Sequence, residues 1–329
     1  MYKIGMFYNK IRIFISDHSN QKPKQINMNS SRRSFIKTSA IAIAATAVIN
    51  KSVFASALKP DLVGVQLYSI RKDMENDPLG SLKKIAGMGY KNVEHANYVE
   101  HKFYGYPAAE FRKVLDGLGL KMPSGHTVMG VDHWDSAKKD FTDAWKKTVA
   151  DAAILGQSYV ISPWMDESFR KTYDDLNNCL DIFNKSGELC KKSGMKFGYH
   201  NHAFEFSQVL NKEKVFDIIM RKIDPGLVAL QLDIGNLYNG GAIAADVMKK
   251  YPNRFETIHV KDEIPATEGE EKFVSCILGK GIVNSKEVID MATKSGSVKS
   301  YIIEQESYQG MSAMDSVKED LAIMRKWGY

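Results

Sequence analysis

Eight short β-branched runs alternate with eight helix-period stretches, and this alternation constrains the fold more than any other feature of the chain. The strand candidates are Leu62–Leu67, Asn92–Glu94, Lys121–Gly125, Tyr159–Ser162, Lys196–Tyr199, Val228–Leu232, Thr257–Val260 and Tyr301–Ile303. Helical periodicity fills the gaps over Leu79–Met88, Ala108–Leu118, Ser136–Leu155, Tyr173–Ser193, Lys214–Lys222, Ala242–Lys250, Ser285–Lys294 and Ala313–Lys326. Several stretches end in the glycine expected just past a helix, as in Ser193-Gly194. Eight strand-then-helix units over 272 residues predict an α/β fold, a (β/α)8 TIM barrel. A doubly wound sheet would carry a glycine-rich phosphate turn after its first strand. Here the first strand runs into Tyr68-Ser69-Ile70-Arg71 instead. No Pro/Gly/Ser-rich or single-sign stretch divides residues 58–329, so a single domain is expected there.

Residues 1–57 are of another kind. Ser30-Ser31-Arg32-Arg33-Ser34-Phe35-Ile36-Lys37 leads into the apolar run Thr38–Ile49, and Ala55-Ser56-Ala57 follows. That order is expected of a twin-arginine signal with a small-residue cleavage site, preceded by an extension. Translation is expected to begin at Met28, with passage through the twin-arginine export machinery to the periplasm. The apolar run is too short and Ala-rich for a permanent membrane span, which needs roughly 20 apolar residues. Residues 1–57 hold nine Lys/Arg and one Asp, which leaves 36 basic and 38 acidic residues in 58–329. The whole-chain charge of +6 thus becomes −2 over the barrel region, a balance that opposes a nucleic-acid partner. Cys179 and Cys190 lie on one predicted helix about 16 Å apart, beyond the roughly 7 Å reach of a disulfide. All three cysteines, Cys276 included, are expected to be free thiols.

In such barrels the active site forms where strands end and loops begin. Strand 5 ends in Tyr199-His200-Asn201-His202 and strand 6 in Leu232-Asp233-Ile234-Gly235-Asn236. Strand 7 ends in Ile258-His259-Val260-Lys261-Asp262 and strand 8 in Ile303-Glu304-Gln305-Glu306. Period-two alternation turns Asp233, His259, Lys261 and Glu304 toward the barrel axis, with their apolar neighbours facing the helices. His200, Asp233, His259 and Glu304 then form an N/O donor set with open positions for substrate. Such a set suits Mn²⁺, Zn²⁺, Co²⁺, Fe²⁺ or Mg²⁺, whereas Ca²⁺ prefers an all-oxygen shell.

These strand ends resemble the xylose isomerase-like TIM barrels, the superfamily of sugar phosphate isomerases/epimerases, ketose 3-epimerases, inosose dehydratase and endonuclease IV. The resemblance spans residues 58–329 and includes the Gly279-Lys280-Gly281-Ile282-Val283 turn. In the ketose 3-epimerases of this family the metal ligands are Glu, Asp, His and Glu from strands 5 to 8. Asp233, His259 and Glu304 match the last three, and His200 stands where those enzymes have the first Glu. Two-base epimerisation uses the strand-5 and strand-8 glutamates on opposite faces of the substrate carbon. With His200 in place the symmetric pair is gone, and Glu304 is left as base with His200 or His202 as acid.

The resemblance implies a divalent-metal-dependent sugar isomerase/epimerase that transfers a proton beside the carbonyl through an enediolate. Export, and the lack of an Arg/Gly cluster after strands 7 and 8, point to a non-phosphorylated sugar or keto-sugar. The alternative is a lyase or hydratase that performs β-elimination on 3-keto-glycosides. Endonuclease IV-like repair needs more ligands and a basic groove, and a non-catalytic sugar-binding barrel is the last option. Glu94, His126, Trp164, His202, Glu205 and Asn236 are the substrate-pocket candidates, with Trp164 placed to stack on a sugar face. Either His200 or His202 can be the strand-5 ligand, and Glu205 either orients a ligand or caps the next loop. Lys261 either acts on a substrate oxygen or pairs with a barrel carboxylate such as Glu94. His95, His101 and His133 read as ordinary loop residues. A homo-oligomer is left open.

Overall fold

The computed structural model describes residues 62–269 and 272–329. The expected signal, cleavage site and Met28 start lie outside the described residues. Eight parallel strands close into a barrel in chain order: β1 (Val63–Gln66), β2 (Asn92–His95), β3 (Lys121–His126), β4 (Tyr159–Ser162), β5 (Lys196–His200), β6 (Val228–Asp233), β7 (Phe255–Val260) and β8 (Ser300–Ile303). β8 pairs with β1, so the sheet has no free edge. The outer helices are α1 (Pro78–Met88), α2 (Ala108–Gly117), α3 (Asp143–Leu155), α4 (Tyr173–Lys191), α5 (Val215–Lys222), α6 (Ala244–Lys250), α7 (Ser285–Ser295) and α8 (Ala313–Lys326). Every expected strand is present within two residues of its predicted ends, because a strand buried on both faces leaves a short, dense apolar run.

The barrel wall is apolar outward and graded inward. Val65, Val93, Val160, Phe197, Leu232, Ile258 and Ile303 join the helices in one continuous core. Tyr159, Ile161 and Ala229 form a separate small cluster, on strand positions whose alternation turns them to the interior. Gly198 is required beside that plug, since a Cβ there would approach Ile161 Cγ1 to 2.8 Å. Farther along the same inward rows stand Glu94, Ser124, Gln231, Asp233 and His259, all buried. The polar layer therefore rests on an apolar floor.

One helix begins later than its periodicity suggests. Residues 136–142 do not extend α3; Trp134–Asp135 pairs antiparallel with Asp140–Phe141 instead. The Asp135 carboxylate accepts hydrogen bonds from the Ala137 and Lys138 amides, which turns the chain before a helix can start. Phe141 is then buried against Trp134, with ring centroids 5.0 Å apart. Three further hairpins follow β2, β5 and β7, pairing Tyr98–Val99 with Lys102–Phe103, Val209–Leu210 with Glu213–Lys214, and Asp262–Pro265 with Phe273–Cys276. All of them follow strand C-termini, and the segments after β2 and β3 wall the site through Tyr98, Val99, His101 and His133.

The loop after β7 is held from beneath. Asp262 accepts from the amides of Gly279, Gly281 and Val283, and Asp320 of α8 accepts from Leu278 N at 2.9 Å. The three cysteines are buried and free, and burial pushes the Cys190 thiol up to about 12. Among the described residues no helix is long and apolar enough to cross a membrane.

Burial raises the Asp320 carboxyl to about 7, whereas an unfolded Asp titrates near 4. The native state thus retains a proton that the unfolded chain releases, and stability falls as pH rises from about 4 to 7. Asp320→Asn keeps the acceptor for Leu278 and removes the charge. Thermal melts are expected to show the variant more stable than the parent at pH 8, by about 4 kcal/mol, and similar to it at pH 4.

Candidate metal centre and its cavity

His200 ends β5, Asp233 ends β6, His259 lies on β7 and Glu304 follows β8. Strand register sets Asp233 beside His259, and one donor atom from each of the four residues lies within 4.8 Å of every other. Asp233 Oδ1 accepts from the amides of Gly235 and Asn236 at 2.9 and 2.7 Å, at the start of the short helix Ile234–Asn239. Its Oδ2 makes no hydrogen bond and stands 3.6 Å from His200 Nε2 and 3.8 Å from His259 Nδ1. Burial raises Asp233 to about 6, with Lys261 opposing and Glu304 adding to the rise. A buried carboxylate oxygen that makes no hydrogen bond and lies between two imidazole nitrogens, with only the Lys261 ammonium as a charge partner, is suited to ligate a cation. Two nitrogens and two carboxylates fit a borderline divalent cation.

The two imidazoles are aimed from below by Glu94, which is fully buried. Gln66 Nε2 donates to its Oε1 at 2.8 Å, Gln231 Nε2 donates to its Oε2 at 2.9 Å, and the Ser124 hydroxyl also donates to Oε2. His259 Nε2 lies 2.6 Å and His126 Nε2 3.1 Å from Oε1. Burial works to raise the Glu94 carboxyl, but the His126 and His259 imidazoles hold it well below the usual range. With its amide nitrogen committed to Glu94, Gln231 turns its Oε1 to His200 Nδ1 at 2.9 Å and to His126 Nε2 at 2.7 Å. His200 therefore carries its proton on Nδ1 and presents the Nε2 lone pair to Asp233. His259 donates through Nε2 to Glu94 and presents Nδ1 to Glu304 Oε2 at 2.9 Å. Burial depresses His200 far below the usual imidazole range, which keeps it neutral. Burial opposes protonation of His259 too, but Glu304 and Glu94 override it and carry that group to about 10. A cation would take the place of the Nδ1 proton.

Lys261 does not pair with Glu94. Its ammonium lies 3.0 Å from Glu304 Oε2, 3.3 Å from Asp233 Oδ2 and 2.5 Å from Glu306 Oε1. Lys261 stands two residues past His259 on the inward row, one strand step nearer the mouth. Burial opposes its charge, and Asp233, Glu304 and Glu306 more than restore it. Glu205 holds backbone rather than a ligand side chain: it accepts from His202 N at 2.9 Å and from the Tyr199 hydroxyl at 2.5 Å. His202 lies outside the converging quartet, edge-on to His200 and to Trp164 at centroid distances of 5.2 and 5.0 Å. Asn236 Nδ2 approaches His200 Nε2 at 3.4 Å.

A cavity of about 670 Å³ opens above the quartet, lined by His126, Trp164, His200, His202, Asn236 and Glu304 among others. Its wall also includes His101 and His133, which local sequence context leaves as ordinary loop residues. They reach it on the hairpins after β2 and β3, elements with no periodic signal. His95 is turned to the outer side of β2 and packs edge-on to Phe103. Gln66, Ser124 and Gln231 went unread because their residue types carry no metal-ligand signature; period-two alternation with Glu94 and Asp233 was the available signal. Among the described residues no Lys or Arg lines this cavity.

Glu94→Gln replaces an acceptor of five donors with a group that must itself donate. Divalent-metal affinity, measured by competition with a chromogenic chelator, is expected to fall about 10- to 100-fold with the circular dichroism spectrum unchanged.

A family model described as xylose isomerase-like TIM barrel matches residues 82–327. An inosose dehydratase of Clostridium perfringens is 32% identical over 127 residues, 38% of this chain and 42% of that protein. The chain thus spans less than half the length of that curated relative. An inosose dehydratase of Clostridium botulinum is 28% identical over 219 residues, covering 63% of this chain and 71% of the relative. A solved sugar phosphate isomerase/epimerase from Parabacteroides distasonis superposes with a TM-score of 0.70 at 26% identity, over 82% of this chain and 96% of that one. With the closed barrel and the strand-end quartet, the match over most of the chain makes this protein a member of the xylose isomerase-like TIM barrel family.

Proposed function

We propose that the protein is a divalent-metal-dependent enzyme that moves a proton at the carbon beside the carbonyl of a non-phosphorylated sugar or keto-sugar. The observation that carries this reading is the His200, Asp233, His259 and Glu304 quartet at the floor of an open cavity. Those four residues would hold the cation, which when bound supplies Lewis-acid polarisation of a substrate carbonyl. Glu304 is the base. Burial alone would raise its carboxyl, but Lys261 and His259 hold it well below the ordinary range, so it is ionised and can accept a carbon-bound proton. Lys261 stands outside the cavity lining, keeps its charge among three carboxylates and acts through Glu304, which it holds ionised for that proton. His202 and Asn236 line the cavity and orient hydroxyls, and Trp164 offers an aromatic face.

The cavity wall argues for the neutral substrate. A phosphate would call for Arg, Lys or a cluster of free amides, and the described lining contains Glu304 and Glu306 without a Lys or Arg. The twin-arginine-like segment around Arg32-Arg33 supports action in the periplasm. A second reading, β-elimination from a keto-sugar or keto-glycoside, is favoured by the similarity to proteins named inosose dehydratase. It uses the same base and differs in expelling an oxygen from the carbon next to the carbanion.

Incubation with Mn²⁺ and a panel of ketoses in D₂O is expected to place deuterium beside the carbonyl. Glu304→Gln is expected to slow exchange by roughly 10²- to 10⁴-fold while sugar binding persists. A new ultraviolet absorbance from an unsaturated product selects elimination, and no exchange by the parent protein with any ketose contradicts the proposal.

A further inference from the structure

A second cavity adjoins the first. It measures about 470 Å³ and shares Tyr68, Ala96 and Asn97 with the main cavity. Pockets that enclose a drug-sized ligand run roughly 300–1,000 Å³, so each space holds a sugar ring with room to spare. Tyr68 lines both cavities and stands between them with 42% of its surface exposed, so its ring is open to a ligand on either side. The ring is also fixed. Arg71 Cζ sits 4.6 Å from its centroid, and Arg71 Nη1 donates to Tyr68 O and to the Tyr308 hydroxyl, each at 3.2 Å. Gln66 Oε1 accepts from Tyr68 N at 3.1 Å, while Gln66 Nε2 donates to Glu94. The partition is therefore tied to the same carboxylate that aims the metal-centre histidines.

We propose that the substrate is a two-part glycoside, with one ring over the quartet and a second glycosyl ring in the cavity behind Tyr68. The chemistry of the second cavity fits a pyranose. Tyr68 and Tyr104 give aromatic surface for the C–H face of the ring, and Arg71, Glu75 and Asn97 give hydrogen-bonding groups for its hydroxyls. Arg71 and Glu75 line this cavity and not the main one, so they recognise the second ring alone. This inference rests on the reading that the main cavity takes a sugar ring, and it specifies what that ring is attached to.

The test is calorimetric binding to the full-length protein loaded with Mn²⁺. The probes are methyl α- and β-glucosides against α- and β-linked glucose disaccharides of each linkage position. At least one disaccharide is expected to bind about tenfold tighter than the matching methyl glucoside. Glu75→Ala is expected to remove most of that gain and leave methyl glucoside binding unchanged. Glu75 is exposed, so its loss leaves the fold intact. Equal affinity across the panel, no binding to any sugar, or equal losses for both probe classes in Glu75→Ala would overturn the proposal. Deuterium exchange with simple ketoses but no disaccharide gain would sink this inference and leave the reaction assignment standing.

Discussion

The Glu94 carboxylate lies at the barrel axis with no solvent exposure, and a buried charge persists only when its lone pairs are matched by donors. Five side chains from four strands meet that demand: Gln66, Ser124, His126, Gln231 and His259. Because Glu94 can only accept, it dictates which end of the Gln231 amide faces it, and Gln231 in turn sets the proton position on His200. The same carboxylate sets the proton position on His259. One buried charge thereby turns His200 Nε2 toward Asp233 and His259 Nδ1 toward Glu304, which strand alternation alone brings near but does not orient.

Above that layer the charge balance is unequal. Asp233, Glu304 and Glu306 face a single lysine, Lys261. His259 adds a proton held by its two carboxylate neighbours. Local negative excess, an Asp233 oxygen without a hydrogen bond and neutral His200 are complementary to a dication. The wall facing solvent has a different character, with aromatic rings, polar side chains and, among the described residues, no Lys or Arg, and this is the basis for proposing an uncharged polyol as substrate.

The fold was legible because a closed parallel barrel repeats one rule eight times: buried strand, then amphipathic helix. The quartet was legible for the same reason, since Asp233, His259 and Glu304 fall on inward positions at strand ends and metal-ligand residue types are rare there by chance. Ser136–Phe141 misled because its charges and lone Ala137 mimic a helix face, while Asp135 and its neighbours encode a turn through side-chain acceptance. The partners of Lys261 could not be read from spacing. Glu94 and Glu306 both lie near the axis, and only the height of each strand end decides which one the ammonium meets. Glutamine and serine carry no chemistry of their own in a sequence, so the layer that orients the histidines was invisible until register set Gln231 beside His200.

The central claim is that four side chains from consecutive strands share one cation. Metal analysis of purified protein, dialysed against Mn²⁺ and then against metal-free buffer, tests it most directly when paired with Asp233→Asn. The account predicts one tightly held divalent ion per chain in the parent, removable by chelator, and loss of that ion in the variant with the barrel still folded. A parent that retains no ion, or a variant that holds its ion as tightly as the parent, would contradict it.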